Sequence, residues 1–168
     1  MAPTLEPYFT MRGYMSKQNS HDLKAIWTGP HRVIVPIISG FLKGPNGYEA
    51  EILPGGGDWI LRDPSTGVAH LDVRTMARTA EGHSTYIHYS GVLKIDDKAA
   101  AVLSWDPAGK TTEYGDHHWF SGPIMETSDP AMKWIEDTLW VGEGHFVVDD
   151  KGSAVEYVIY KVGNKASA

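Results

Sequence analysis

The strict alternation between residues 70 and 79 constrains this chain more than any other feature. Leu71, Val73, Thr75, Ala77 and Thr79 fall on one side, and His70, Asp72, Arg74, Met76 and Arg78 on the other, because successive side chains of a strand point to opposite faces. One face is oily and the other charged. The surrounding stretch, residues 47–79, reads as three short strands joined by turns. Residues 48–53 form the first strand and Pro54 with Gly55-Gly56-Gly57 the connection. Asp58 to Arg62 form the second strand, and a Pro-Ser-Thr-Gly turn leads into the third.

The charged face has two readings. It faces water, as on any half-buried antiparallel strand. Alternatively, the strand belongs to a barrel whose lumen is a polar pocket, with its oily face packed outward under a helix or a partner subunit. Composition leaves both open.

The rest of the chain supplies further strands. Residues 8–16 alternate and form a first strand, while 17–30 are polar and turn-rich and read as a loop. The run RVIVPIISGFL, 32–42, is β-branched enough for a buried strand, which Pro36 and Gly40 bulge or kink. The glycine triplet has neither a GK[ST] ending nor a GxGxxG pattern opening a helix, so it is a tight strand connection and not a phosphate cradle. Residues 84–95 form a strand that pairs with 70–79 around the turn Ala80-Glu81-Gly82. That pairing puts His88 near Asp72 or Arg74 if the even faces coincide, and a one-residue slip would reverse them. Residues 96–104 make a short helix capped by Asp96 or Asp97, and 106–116 a loop that would be a mobile flap at the barrel mouth. A strand at 117–125 precedes a helix opened by Asp129 and Pro130, with Met132, Trp134 and Ile135 on its buried side. Strands at 139–148 and 154–162 close the sheet, and the tail 163–168 is loose.

A chain of 168 residues is the size of one domain, here with a core at about 8–163. The formal net charge of -6, with no extended basic run, argues against nucleic acid as a partner. Cysteine is absent, which removes disulfides, thiolate metal sites and cysteine nucleophiles together. No apolar run approaches the ~20 residues of a membrane span, and the start of the chain lacks the pattern of a signal peptide. The expectation is a soluble, cytoplasmic protein without a membrane partner. Six Trp, eight Tyr and four Phe mostly pack a core, and a few of them line a ligand cavity.

The ordered segments PIISGFLKGPNGYEAEILPGGGDW, LDVRTMARTAEG, YIHYSG, METSDPAMKWIEDTLWVGEG and VEYVIYKV resemble the family DUF3237, also called UPF0311, of small β-barrel proteins whose function is mostly unassigned. The likeness spans residues 8–163. It implies a mainly β fold: a single antiparallel β-barrel, calycin-like or allene-oxide-cyclase-like, with one or two short helices. Its motifs fall on Asp58 and Trp59, on Asp72 and Arg74, and on Glu126, Thr127 and Trp134. The chain departs from the pattern at His88, where Arg is frequent. It departs again at His118, Trp119 and Phe120 in place of Tyr-Phe-Arg, and at Glu136 in place of Asn. A pocket built this way exchanges guanidinium groups for imidazole and aromatic surface.

The chemistry is bounded by missing patterns. HExxH, His-x-His and any Cys-containing spacing are missing, so no metal site is expected. Adjacent His117 and His118 point to opposite faces of a strand. No GxSxG elbow and no dinucleotide fingerprint occur, so neither a hydrolase triad nor a redox cofactor is expected. An enzyme of this kind works with side chains alone. Asp72 and Arg74 are ~7 Å apart along a strand, close enough to share a ligand oxygen or to form a structural ion pair. In the catalytic reading Arg74 holds an anionic or enolate oxygen, Asp72 or Asp58 accepts a proton and His88 donates one. Trp59, Tyr86, Trp119, Phe120 and Glu126 would shape the binding pocket. That site suits cofactor-free isomerisation, dehydration or cyclisation of a small hydrophobic carbonyl compound. The competing readings are a barrel that binds or carries such a molecule unchanged, and a structural subunit whose oily outer strand faces build a homodimer.

Overall fold

A computed structural model describes residues 2–164. Nine strands make up most of them: β1 (Thr4–Met15), β2 (His21–Ile26), β3 (Gly29–Lys43), β4 (Glu49–Asp63), β5 (Val68–Thr79), β6 (Ser84–Lys94), β7 (Trp119–Thr127), β8 (Trp140–Asp149) and β9 (Gly152–Gly163). They follow the order β1-β9-β8-β7-β6-β5-β4-β3-β2, and β1 also pairs with β3. That last pairing closes eight antiparallel strands into a barrel and leaves β2 attached to β3 alone. The antiparallel β-barrel expected from the sequence is therefore the fold. One α-helix, α1 (Asp97–Leu103), and a 3-10 helix (Pro130–Asp137) accompany it. No helix among the described residues is long and apolar enough to cross a membrane.

Alternation decides what fills the barrel. In β7 every second residue is buried, and in β5 the odd set from Ala69 to Thr79 is buried. The lumen is packed by Leu42, Ile52, Ile87, Met125, Phe146 and Ile159, all essentially inaccessible. Each such side chain contributes about 1.5–3 kcal/mol by leaving water. At one end α1 buries Ala99 and Val102, and its N-cap Asp96 accepts the Ala99 N–H at 2.9 Å. At the other end the 3-10 helix buries Ile135, whose carbonyl accepts the Trp140 Nε1–H at 3.0 Å.

Several boundaries differ from expectation for identifiable reasons. The segment 17–30, read as a loop, contains β2 and the start of β3. Lys24 sits there at φ 59, and the register breaks twice, so the period-two signal is lost. The glycine triplet does not join two strands. β4 runs through it, and the register with β5 shifts between Leu53 and Gly57. Glycine serves close approach at this point, since a Cβ on Gly56 would lie 2.5 Å from the Arg74 carbonyl oxygen. The first strand begins at Thr4, and the helix after Asp129 is 3-10. Of the tail expected to be loose, 165–168 lie outside the described residues.

Candidate functional site

The charged face of β5 is the outer one. Asp72 and Arg74 have side chains 45% and 48% exposed, joined by an Arg74 Nη1–Asp72 Oδ1 pair at 2.8 Å. The expectation that they look into the lumen is corrected: period two makes the faces exclusive, and the small and apolar odd set occupies the interior. The hairpin with β6 is as expected. Arg74 pairs with His88 in register, and His88 Nε2 lies 3.4 Å from Asp72 Oδ1. Tyr86 and His88 share this outer face, as do Phe120 and Glu126 on β7. Trp59 lies outside as well, with the Arg74 guanidinium 6.0 Å from its ring centre. None of these lines the inner cavity. Of the residues singled out from sequence, Asp58 and Trp119 do.

The inner site is built where β4 and β5 part. Their register pairs Asp58 with Val73 and Leu61 with His70 but leaves Trp59 and Ile60 without partners. Side chains satisfy the freed backbone groups. Asp58 Oδ1 accepts the Asp72 N–H at 3.1 Å, and Arg32 Nη1 donates to the Trp59 carbonyl at 2.5 Å. Asp58 is thereby fixed against the wall of a cavity of about 30 Å³, room for roughly one water molecule. Val35, Leu71, Val73, Leu93 and Phe146 line it, and Leu103 of α1 roofs it. Asp58 retains some accessible surface while Val73, Leu71 and Tyr89 around it are buried.

Burial in this setting pushes the Asp58 carboxyl up to about 7, and the Asp72 N–H bond and the Arg32 charge offset only part of the rise. Two phenols complete the lining. Trp119 Nε1–H donates to the Tyr157 hydroxyl at 2.8 Å, and the Tyr89 and Tyr157 rings meet edge to face at 5.2 Å. Burial raises both phenols above their usual range, and the nearby Asp58 charge raises them further. They remain neutral donors at any physiological pH. Two more inward hydroxyls, Thr75 Oγ1 and Ser121 Oγ, have no hydrogen-bond partner in the protein. They sit one row to either side of the Val73–Tyr89 pair. Sequence reasoning passed over Tyr89 and Tyr157. The signal for both was parity: Tyr89 lies on the odd face of its strand with Ile87, and Tyr157 alternates with Ile159.

A second polar cluster lies outside the barrel, under the loop 105–118. Glu156 accepts from Arg12 Nε at 2.6 Å, and His145 Nε2 lies 3.2 Å from its other oxygen. His145 Nδ1 donates to the Thr112 carbonyl at 2.7 Å, and the Tyr114 ring meets the imidazole at 4.2 Å, tilted by 57°. His117 joins Asp96 (2.6 Å) to Thr112 (3.1 Å). The segment expected as a flap is thus stitched to β8 and to the cap of α1. Among the described residues no three His, Asp or Glu side chains converge as a metal set would.

The fold and the lining define a class: small antiparallel barrels whose apolar lumen holds a carboxyl group beside two phenols. A family model described as a protein of unknown function, DUF3237, matches residues 3–162, and the chain belongs to that family. A PR-toxin biosynthesis cluster protein 7 from Penicillium roqueforti is 25% identical over 132 residues, 76% of this chain and 70% of that protein. A conserved protein of unknown function from Rhodopseudomonas palustris superposes with a TM-score of 0.80 at 18% identity, covering 96% of this chain and 99% of that one. An enzyme from Penicillium herquei superposes with a TM-score of 0.58 at 14% identity, covering 96% of both chains. The last two likenesses concern the fold.

Proposed function

We propose that the protein is a cofactor-free acid/base enzyme of secondary metabolism, acting inside the barrel on a small hydrophobic molecule that carries a carbonyl group. One observation carries the reading: a carboxyl whose proton affinity lies near neutrality, held in an apolar cavity beside two phenols that stay protonated. General acid/base groups work best when their pKa lies near the working pH. A buried carboxyl with such a pKa is an unusual expense for a merely structural position.

Asp58, as carboxylate, takes a proton from the carbon next to the carbonyl, and the phenol of Tyr89 or Tyr157 donates a hydrogen bond to the enolate oxygen that forms. Returning the proton to another carbon isomerises the molecule. Expelling a β-hydroxyl as water dehydrates it to the enone, and addition of an internal hydroxyl to the β-carbon of that enone, with its proton passing to the carbon next to the carbonyl through Asp58, closes a ring. The roles first given to Arg74 and His88 pass to the phenols, because those two residues face outward. A ligand larger than water needs more room than the cavity has, so Leu103 and α1 must swing aside to admit it. The name of the Penicillium roqueforti relative, from a toxin biosynthesis cluster, supports a small-molecule role.

The test is hydrogen exchange in D2O with a panel of small cyclic and aryl ketones, followed by NMR at the carbon next to the carbonyl. The wild type should accelerate exchange of at least one ketone, and Asp58→Asn should lose about 100-fold of that rate. Equal rates in the two proteins would reject Asp58 as the base. A ketone that binds and is recovered without exchange would mark the barrel as a carrier.

A further inference from the structure

We propose that the outer face of β5, β6 and β7 binds a second copy of this chain about a two-fold axis. The axis runs across the strands, between the row Arg74, His88, Ile124 and the row Asp72, Ser90, Gly122. Both rows are fixed by register: Arg74 pairs with His88 and His88 with Ile124, while Asp72 pairs with Ser90 and Ser90 with Gly122. Their side chains point outward by parity. Rotation about such an axis lays each strand over its own copy, reversed, and sets one row on the other.

Three adjacent strands then match at once. On β5, Arg74 of one copy meets Asp72 of the other, twice. Each chain already pairs these charges at 2.8 Å, so the dimer forms a square of alternating charges and not a like-charge contact. On β6, the His88 imidazole meets the Ser90 hydroxyl. On β7, Ile124 stands 58% exposed opposite Gly122, where a Cβ would meet nothing within 4 Å. The isoleucine is a knob and the glycine a notch. One row further out, exposed Tyr86 meets exposed Val92. An isologous contact requires a surface that complements itself under one rotation, and a partner of different sequence would not require the two rows to complement each other. Face-to-face sheets cross at about 30°, which displaces side chains little this close to the axis.

Sedimentation velocity of the full chain over a concentration series tests the proposal. The wild type should sediment as a dimer. Ile124→Lys and Gly122→Trp should sediment as monomers with unchanged circular dichroism, since both positions are on the open face. Asp72→Arg should also be monomeric, and the exchange Asp72→Arg with Arg74→Asp should restore the dimer. Because the chain has no cysteine, mixing Ile124→Cys with Gly122→Cys under mild oxidation should yield a covalent heterodimer. A wild type that stays monomeric at every concentration would overturn the proposal. So would a dimer whose mass neither Ile124→Lys nor Gly122→Trp changes, or a cysteine mixture that forms no cross-link.

Discussion

Asp58 binds its proton more tightly folded than unfolded, because the cavity disfavours the anion. The native state therefore holds a proton that the unfolded chain has released, and stability falls as pH rises from the ordinary carboxyl value of 3.8 through about 7. The loss amounts to about 4 kcal/mol at most, since each tenfold change in proton affinity is worth about 1.4 kcal/mol. Urea unfolding at pH 5 and pH 8 should show this fall in the wild type, and Asp58→Asn should flatten it. Parallel pH profiles for the two proteins would mean that the carboxyl is solvated. At this scale the sequence was informative about residue type and ambiguous about direction. Asp58 could be picked from its motif, yet Asp72 and Arg74 looked equally suited to a lumen. Nothing in a period-two pattern says which face is the inside when the candidate interior is polar. Tyr89 and Tyr157 were overlooked for the complementary reason, that aromatic residues on an apolar face look like packing.

Among the elements, the loop 105–118 depends on the cluster around Glu156. Burial works against the Glu156 anion, but the hydrogen bonds from His145 and Arg12 outweigh it and hold the carboxyl below its ordinary value of 4.5. Burial likewise opposes the His145 cation, and the Glu156 hydrogen bond outweighs it and raises the imidazole above 6.5. The Glu156 contribution is present above 4.5 and lost as pH falls through its folded pKa. The His145 contribution is complete below 6.5 and lost as pH rises through its folded pKa. The loop should be held best between those limits and loosen on either side. Limited proteolysis across pH, corrected with an unstructured peptide, should show slowest cleavage in the mildly acidic window. Glu156→Gln should abolish the minimum and cost roughly 1–3 kcal/mol of stability, because the amide has no charge and only one oxygen to offer where Arg12 and His145 each have a carboxylate oxygen. The loop itself was legible from its glycines, threonines and proline. Its attachment was not, since Glu156 and His145 lie on strands far along the chain. The hairpin of β5 and β6 and the capped α1 were legible because local rules govern them. β2 was not, because its bulges erase the alternation on which recognition depends.

For the molecule as a whole, closure rests on the seam between β1 and β3, where Gly13 pairs with Gly40. Gly40 has φ +146, and a Cβ there would lie on top of the Arg12 carbonyl, 1.9 Å from its oxygen. Gly40→Ala should therefore destabilise the barrel by more than about 3 kcal/mol, through both strain and a lost ladder contact, as measured by urea unfolding. A change under about 1 kcal/mol would show that the seam can yield. The strands were legible from short alternating runs separated by turns, and the barrel from the resemblance of the ordered segments to the family. The closing pair was not, because joining residues 10–15 to 37–43 is a long-range choice that no local pattern encodes. The position of β1 has a further consequence. It is hydrogen-bonded to β3 on one side and to β9 on the other, so β1 waits for β9, about 140 residues later in the chain, to complete its neighbours. Until then the nascent chain is an open sheet with unpaired margins, prone to join other sheets. Its chance of misassembly is set by how soon β9, Gly152–Gly163, follows.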